Sequence, residues 1–492
     1  MKQLFACLLL VLLAACGRGP DVDIVRVDVA AQLEEAMPGQ GIEIVSLVRR
    51  GSQRDSDAPQ GETRRVVYFD TELKLDRDID FGAWNSPGIS ALVSALGAGP
   101  RGISGVTSGG NRAGDLIQVR GTALYRQEGD QWTLVAPAGY KPPTPAAGLS
   151  GDQTDGPGAT LAAIRSALDA FPLDTSPEQN RIIQDELMMA RQNIEARLAR
   201  NAKGYAIAAG AEHGQYLRVA RALFPLDSRV VPLITRGSEE NLELLRAGTV
   251  SLALSQGDAA QDAYEGAGVF AGHGPHAALR SLGSLYPEPM HVLVAADSGL
   301  ASLAELRGKR VAIGEAGAAS RTTALRVLQA HGLELDDIEP LELSIGDAFT
   351  ALKQGRADAL MQVIGTPADD VRELLVGTPL RLLPLSDEAA ARLVDEHDGY
   401  FKYTIARGTY PGQARNIPTI ATAALLLTDT TLSDAEIDAL TRHVFESGRD
   451  YPRKGSAQGA LISPATSAVG LSVPLHPAAA RALEELAAAS GK

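Results

Sequence analysis

The chain has 492 residues, more than one hydrophobic core supports, so two to four domains are expected. Hydrophobic residues make up 45% and charged residues 22%, with 50 Gly and 27 Pro, which excludes a disordered or fibrous chain. The formal charge of −14 repels phosphate backbones, and 4% aromatics leave few stacking platforms, so general nucleic-acid binding is excluded as well.

Both cysteines, Cys7 and Cys16, lie at the start. The rest of the chain therefore holds no disulfide, thiol nucleophile or thiolate metal cage. Lys2 is followed by an apolar run from Leu4 to Ala15, too short to span a bilayer. It ends in Leu13-Ala14-Ala15-Cys16, which resembles a bacterial lipobox. That resemblance implies a lipoprotein signal peptide over residues 1–15 and acylation of Cys16, giving a protein anchored to a membrane rather than crossing it. Gly17 and Arg18 follow the cysteine, and an enteric-type sorting rule then implies the outer membrane in preference to the inner one.

Residues 16–138 are expected to form a small α+β domain of unknown role. Val67, Phe69, Thr71, Leu73 and Leu75 alternate at period two, as do Ile117, Val119, Gly121, Ala123 and Tyr125. Glu128-Gly129-Asp130 suggests a hairpin into Trp132–Val135, and Ser90–Leu96 a short helix. The glycine-rich Ser104–Arg112 reads as a loop. Residues 139–200 combine a Pro/Gly-rich linker with two amphipathic helices, the second opened by Ser176-Pro177-Glu178-Gln179. The pair serves either as a spacer or as buried support.

From Lys203 short apolar runs alternate with amphipathic helices. Gly204–Ala209, Arg229–Ile234, Ser251–Gln256, Met290–Ala295, Arg310–Ile313, Glu339–Leu343 and Ala359–Ile364 read as parallel strands covered on both faces. Glu240–Ala247, Thr322–His331 and Gly346–Gln354 read as helices. Such sheets bind ligands beyond the carboxyl ends of their strands.

An ordered series of segments then becomes informative. Ala209-Gly210-Ala211-Glu212-His213-Gly214-Gln215-Tyr216 is followed by Gly237–Leu242, Leu252–Asp258, Asp262–Gly266 and Leu285-Tyr286-Pro287-Glu288-Pro289. Asp297–Gly299, Leu306–Val311, Gly408–Gln413 and Val473–Pro477 complete it. In this order the segments resemble the TAXI family of extracytoplasmic solute receptors of TRAP transporters, from about residue 201 to the end.

The resemblance implies a two-lobed α/β periplasmic-binding-protein fold. Lobe one would comprise about 201–297 and 426–492, and lobe two about 298–425. It also implies a lipid-anchored periplasmic receptor, not an enzyme, that captures a small polar metabolite (an amino acid or organic acid) between the lobes for a TRAP permease. Gly210, Glu212, Tyr216, Ser238, Gln256 and Asp258 are the candidate ligand contacts of lobe one. Gly317, Ser320, Thr323 and Gly365 are those of lobe two. Small residues admit the ligand to backbone amides, hydroxyls hold a carboxylate, and Tyr216 walls the cleft.

Glu212, His213 and Glu315 depart from the family pattern. If Glu212, Asp258 and Glu315 faced one cleft they would repel a purely anionic ligand and favour an amino acid, an amine or a metal-bridged carboxylate. His213, His273, His276 and His291 show no metal-ligand spacing, so neither metal nor cofactor is expected. No G-x-S-x-G elbow or Walker loop suggests catalysis on this fold. The extra N-terminal region admits an alternative: an envelope sensor or scaffold uncoupled from transport.

Overall fold

The computed structural model describes residues 19–136 and 204–490 apart from 57, 60, 85–87, 100–101, 108–109, 130, 213, 226–227 and 447–450. Residues 181, 188, 194, 197, 198 and 200 are also described. The expected signal peptide, Cys16, the linker and most of the helical pair lie outside the described residues.

Helix α1, Val22–Ala36, has no counterpart in the sequence reading, although Val25, Val29, Leu33 and Ala36 recur at helical spacing and are buried. Asp21 caps it, its carboxylate accepting from the Asp23 and Ile24 amides. Strands β1 (Ile42–Arg54) and β2 (Arg64–Leu75), helix α2 (Gly88–Leu96), and strands β3 (Ile103–Ser104), β4 (Leu116–Glu128) and β5 (Gln131–Ala136) follow. The strands form one antiparallel sheet in the order β1-β2-β4-β3, with β5 paired to β4. Val67, Phe69, Thr71, Leu73 and Leu75 bury one face of β2, as period two requires. Every residue of α2 is buried, consistent with its being apolar all round.

The second sheet begins with β6 (Tyr205–Gly210), followed by α3 (Gln215–Leu223), β7 (Val230–Ile234), α4 (Ser238–Arg246), β8 (Leu252–Gln256) and α5 (Gly257–Glu265). Strand β9, Arg280–Ala295, then leads to β10 (Arg310–Ala312), α6 (Ala319–Ala330), β11 (Glu339–Leu341), α7 (Ile345–Lys353) and β12 (Ala359–Val363). Helix α8 (Asp369–Gly377), β13 (Leu380–Leu382), α9 (Asp387–Glu396), β14 (Phe401–Ile405), β15 (Ile417–Thr428), α10 (Asp434–Phe445) and α11 (Pro477–Ser490) complete it. The ten strands run β11-β10-β12-β9-β15-β8-β6-β7, with β13 on β9 and β14 on β15.

Two parallel blocks, β7-β6-β8 and β11-β10-β12, therefore sit at opposite ends of the sheet. Between them β9 and β15 run antiparallel to each other and to the strands beside them. The all-parallel expectation is corrected here: Met290–Ala295 is the second half of β9 and pairs antiparallel with β12 and β13. Its first half escaped the sequence reading because Pro287 and Pro289 interrupt it, and proline donates no ladder hydrogen bond. The ladder to β15 compensates with register shifts at Ala424/Leu425 and Leu426/Leu427.

The two blocks have separate cores. Lobe two is built on Val292, Ile313, Val327 and Met361, and on a second cluster containing Ala312, Leu360 and Tyr410. Lobe one shares a core with the N-terminal domain, in which Phe69, Leu92 and Leu96 join Leu217, Leu223 and Leu461. The chain passes between lobes within β9 and β15, so the changeover falls inside continuous strands.

Candidate ligand-binding cleft

Three helices begin at the seam between the lobes. Helix α3 starts after Gly214, α4 after Gly237 and α6 after Ala318, and none of these residues supplies a side-chain cap. Gly237 has φ +139, a conformation that a side chain rarely adopts, and it opens the mouth of the cleft. All three helix starts line one cavity of about 130 Å³. Amides at the first turn of a helix have no intrahelical acceptor and carry partial positive charge, so three starts together favour an anionic group. Arg236 lies at the rim, paired with Glu240.

The floor is polar but carries little charge. Glu288 of β9, 4% exposed, accepts a 2.5 Å hydrogen bond from the Tyr216 hydroxyl. Burial, with help from the charge of Asp258, pushes the Glu288 carboxyl up to about 8, so it is mostly protonated at neutral pH. Burial likewise raises the Tyr216 phenol, which stays protonated. Gln256 donates from Nε2 to Ser320 Oγ at 3.2 Å, and Gln362 donates to the same oxygen at 2.8 Å. Ser320 in turn donates to Val363 O at 3.3 Å. This arrangement leaves the buried Gln256 Oε1 without a partner, an acceptor at the cleft wall.

Around the cleft the lobes touch directly. Gln215 of α3 donates to Gly365 O at 2.9 Å and accepts from the Gly365 amide at 2.8 Å. Asp258 accepts from Thr323 Oγ1 at 2.6 Å and from the Tyr400 hydroxyl at 2.8 Å. One turn further along α5, Asp262 accepts from Arg326 at 2.7 Å and sits 3.2 Å from His397 Nε2. Bonds from His397 and Arg326 outweigh burial and hold the Asp262 carboxyl below its ordinary value. Thr322 donates to Glu239 at 3.0 Å. These bonds join the two lobes across the seam.

Of the candidate contacts, Gly210, Tyr216, Ser238, Gln256 and Ser320 line the cavity together. Ser238 also accepts from the Gln256 amide. The other five candidates stand outside the cavity lining. Glu212 is exposed rather than turned inward. Asp258 and Thr323 bond to each other across the seam and do not line the cavity. Gly365 is occupied by Gln215, and a Cβ there would lie 2.6 Å from Gln215 Oε1. Gly317 stands beside the rim, its position 3.9 Å from Arg236 Nη1. His213 lies outside the described residues. The feared crowd of carboxylates does not form: Glu212 faces solvent, Asp258 lies outside the cavity lining with its Oδ2 bonded to Thr323 and Tyr400, and only Glu315 and the raised Glu288 line the cavity.

Sequence reasoning missed Gln215, Glu288, Gln362 and Arg236. Glu288 did leave a signal, being the one carboxylate in the buried run Ser281–Val294. Among the described residues no cluster of His, Cys, Asp and Glu has the arrangement of a metal site, and no helix is long and apolar enough to cross a membrane.

The sequence profile of the NMT1-like family matches residues 207–486, more than half of the chain and all of the cleft. The chain belongs to the NMT1-like family. Among curated proteins, this family member is 38% identical over 73 residues to an Escherichia coli K12 protein provisionally named an aliphatic sulfonates-binding protein. That match covers 15% of the chain and only 23% of the relative's length. Solved structures similar to it include the alkanesulfonate-binding protein SsuA of Xanthomonas axonopodis pv. citri bound to MOPS, at 22% identity and TM-score 0.31. That alignment covers 48% of the chain and 71% of the other. The periplasmic aliphatic sulphonate binding protein SsuA of Escherichia coli is similar at 19% identity and TM-score 0.31, covering 57% and 83%. The NMT1-like part is a two-lobed α/β structure with the cleft at the carboxyl ends of β6, β8 and β12.

Proposed function

We propose that the protein is an extracytoplasmic solute-binding receptor whose lobes close on a small molecule bearing a carboxylate or sulfonate. The observation that carries this reading is the convergence of three uncapped helix starts on one interlobe cavity whose floor carboxyl is neutral. Amides of Gln215, Ser238 and Ser320 donate to the oxoanion, neutral Glu288 adds a donor, and the Gln256 carbonyl accepts from a polar group elsewhere on the ligand. The expected amino acid or organic acid remains within this class. Sulfonates join it because the Escherichia coli relative is named for them.

In the full proposal, residues 1–15 are a signal peptide, Cys16 carries lipid, and the receptor stands in the periplasm on the outer membrane. There it delivers ligand to a TAXI-type TRAP permease. A sensor reading is favoured by one feature, the core that the N-terminal domain shares with lobe one. Native mass spectrometry of full-length protein purified without dialysis tests the ligand class. The expected result is one small acid per chain, released on activation; a bound metal or nucleotide in its place contradicts the proposal.

A further inference from the structure

The N-terminal domain touches both lobes, by different chemistry. Toward lobe one the contact is apolar and tight. The two share one continuous core, and a Cβ on Gly82 would stand 2.3 Å from Ala460 O. Trp84 donates to Leu461 O at 3.3 Å from the same side. Such a joint, closed over shared hydrophobic surface, moves as one body.

Toward lobe two the contact is mainly polar, with one close approach where a Cβ on Gly408 would stand 3.3 Å from Ala36 Cα. Arg372 of α8 is fully buried and reaches into the N-terminal domain, donating to Ala98 O at 2.7 Å and Val93 O at 3.5 Å, just past and within the last turn of α2. Its other arm is held by Asp369 at 2.9 Å. A guanidinium set against helix-terminal carbonyls is favourable in charge and geometry. At the exposed edge Arg407 donates to Glu35 O at 3.1 Å. Beside these contacts the seam is unfilled: a cavity of about 350 Å³ separates α1 and α2 from residues 407–414. Arg372 Nε, though buried, has no acceptor.

We infer that residues 19–136 form an internal latch that rides on lobe one and grips lobe two through Arg372 and Arg407 only while the lobes are closed. Opening about β9 and β15 carries α8 away from α2, and the Arg372 guanidinium then exchanges its carbonyl acceptors for water and gives up the net stabilisation of those charge-assisted hydrogen bonds. The latch thus biases the receptor toward its closed state and displays that state on a surface remote from the cleft. This inference rests on the lobe-closing reading but not on any particular ligand.

The test uses the ligand-free full chain and two readouts of closure: amide hydrogen exchange at Gly365, whose N–H bonds Gln215 across the seam, and the radius of gyration from small-angle scattering. Arg372→Gln is expected to speed Gly365 exchange at least fivefold and to enlarge the particle, while exchange within β2 and β4 stays unchanged. Unchanged Gly365 exchange and scattering overturn the latch. If Arg372→Gln does not fold, the surface variant Arg407→Gln decides by the same two outcomes, with a smaller expected change. Failure of the ligand assignment would leave these results untouched.

Discussion

Glu288 sets the charge of the cleft floor. With its carboxyl at about 8 it is neutral at pH 7 and ionised at pH 9, where it faces the bound anion. Affinity for an acidic ligand is therefore expected to fall as pH rises from 7 to 9, and Glu288→Gln to abolish that slope in calorimetric titrations. Stability follows the same sign. Between the ordinary carboxylate value of 4.5 and about 8 the folded chain holds a proton that the unfolded chain has lost, so stability declines as pH rises through this window. Chemical denaturation of Glu288→Gln should show a flatter pH profile. Tyr216 and Gln256 were legible in the sequence because they follow strand ends, where side chains face the crevice. Glu288 was not, because its role depends on burial that neighbouring strands impose.

At the scale of elements, closure depends on helices meeting across the seam. Gly365 is a point of close approach at the seam, and Gly365→Ala inserts a methyl where Gln215 and Tyr286 already stand. The expected outcome is a folded protein with ligand affinity reduced tenfold or more. The bond pair linking Asp258 to Thr323 and Tyr400 belongs to the same closed state. Hydrogen bonds to charged groups contribute about 1.5–3 kcal/mol each, so Asp258→Asn should also weaken binding by about tenfold, read by calorimetry, without touching ligand. Apolar runs disclosed β6, β8, β10 and β12 because both faces of each are covered. Direction was not legible: nothing in the composition of β9 or β15 says that they run back across the sheet.

For the whole molecule, two lobe cores joined by two continuous strands allow bending with little loss of packing, whereas the N-terminal domain adds its core to one lobe only. That asymmetry could not be read from residues 16–138, whose period-two pattern fixes the faces of a sheet but not what covers them. The ligand class rests on the same architecture, since the start of α6 in lobe two lines one cavity with the starts of α3 and α4 in lobe one. The direct test is isothermal titration calorimetry of ligand-stripped full-length protein against short alkanesulfonates, dicarboxylates and amino acids at pH 7. The account predicts one-to-one binding of at least one acid with micromolar affinity, about −8 kcal/mol, weakened tenfold or more by Tyr216→Ala. Heat from cationic amines alone, or the same acid affinity in Tyr216→Ala as in the unaltered chain, would contradict it.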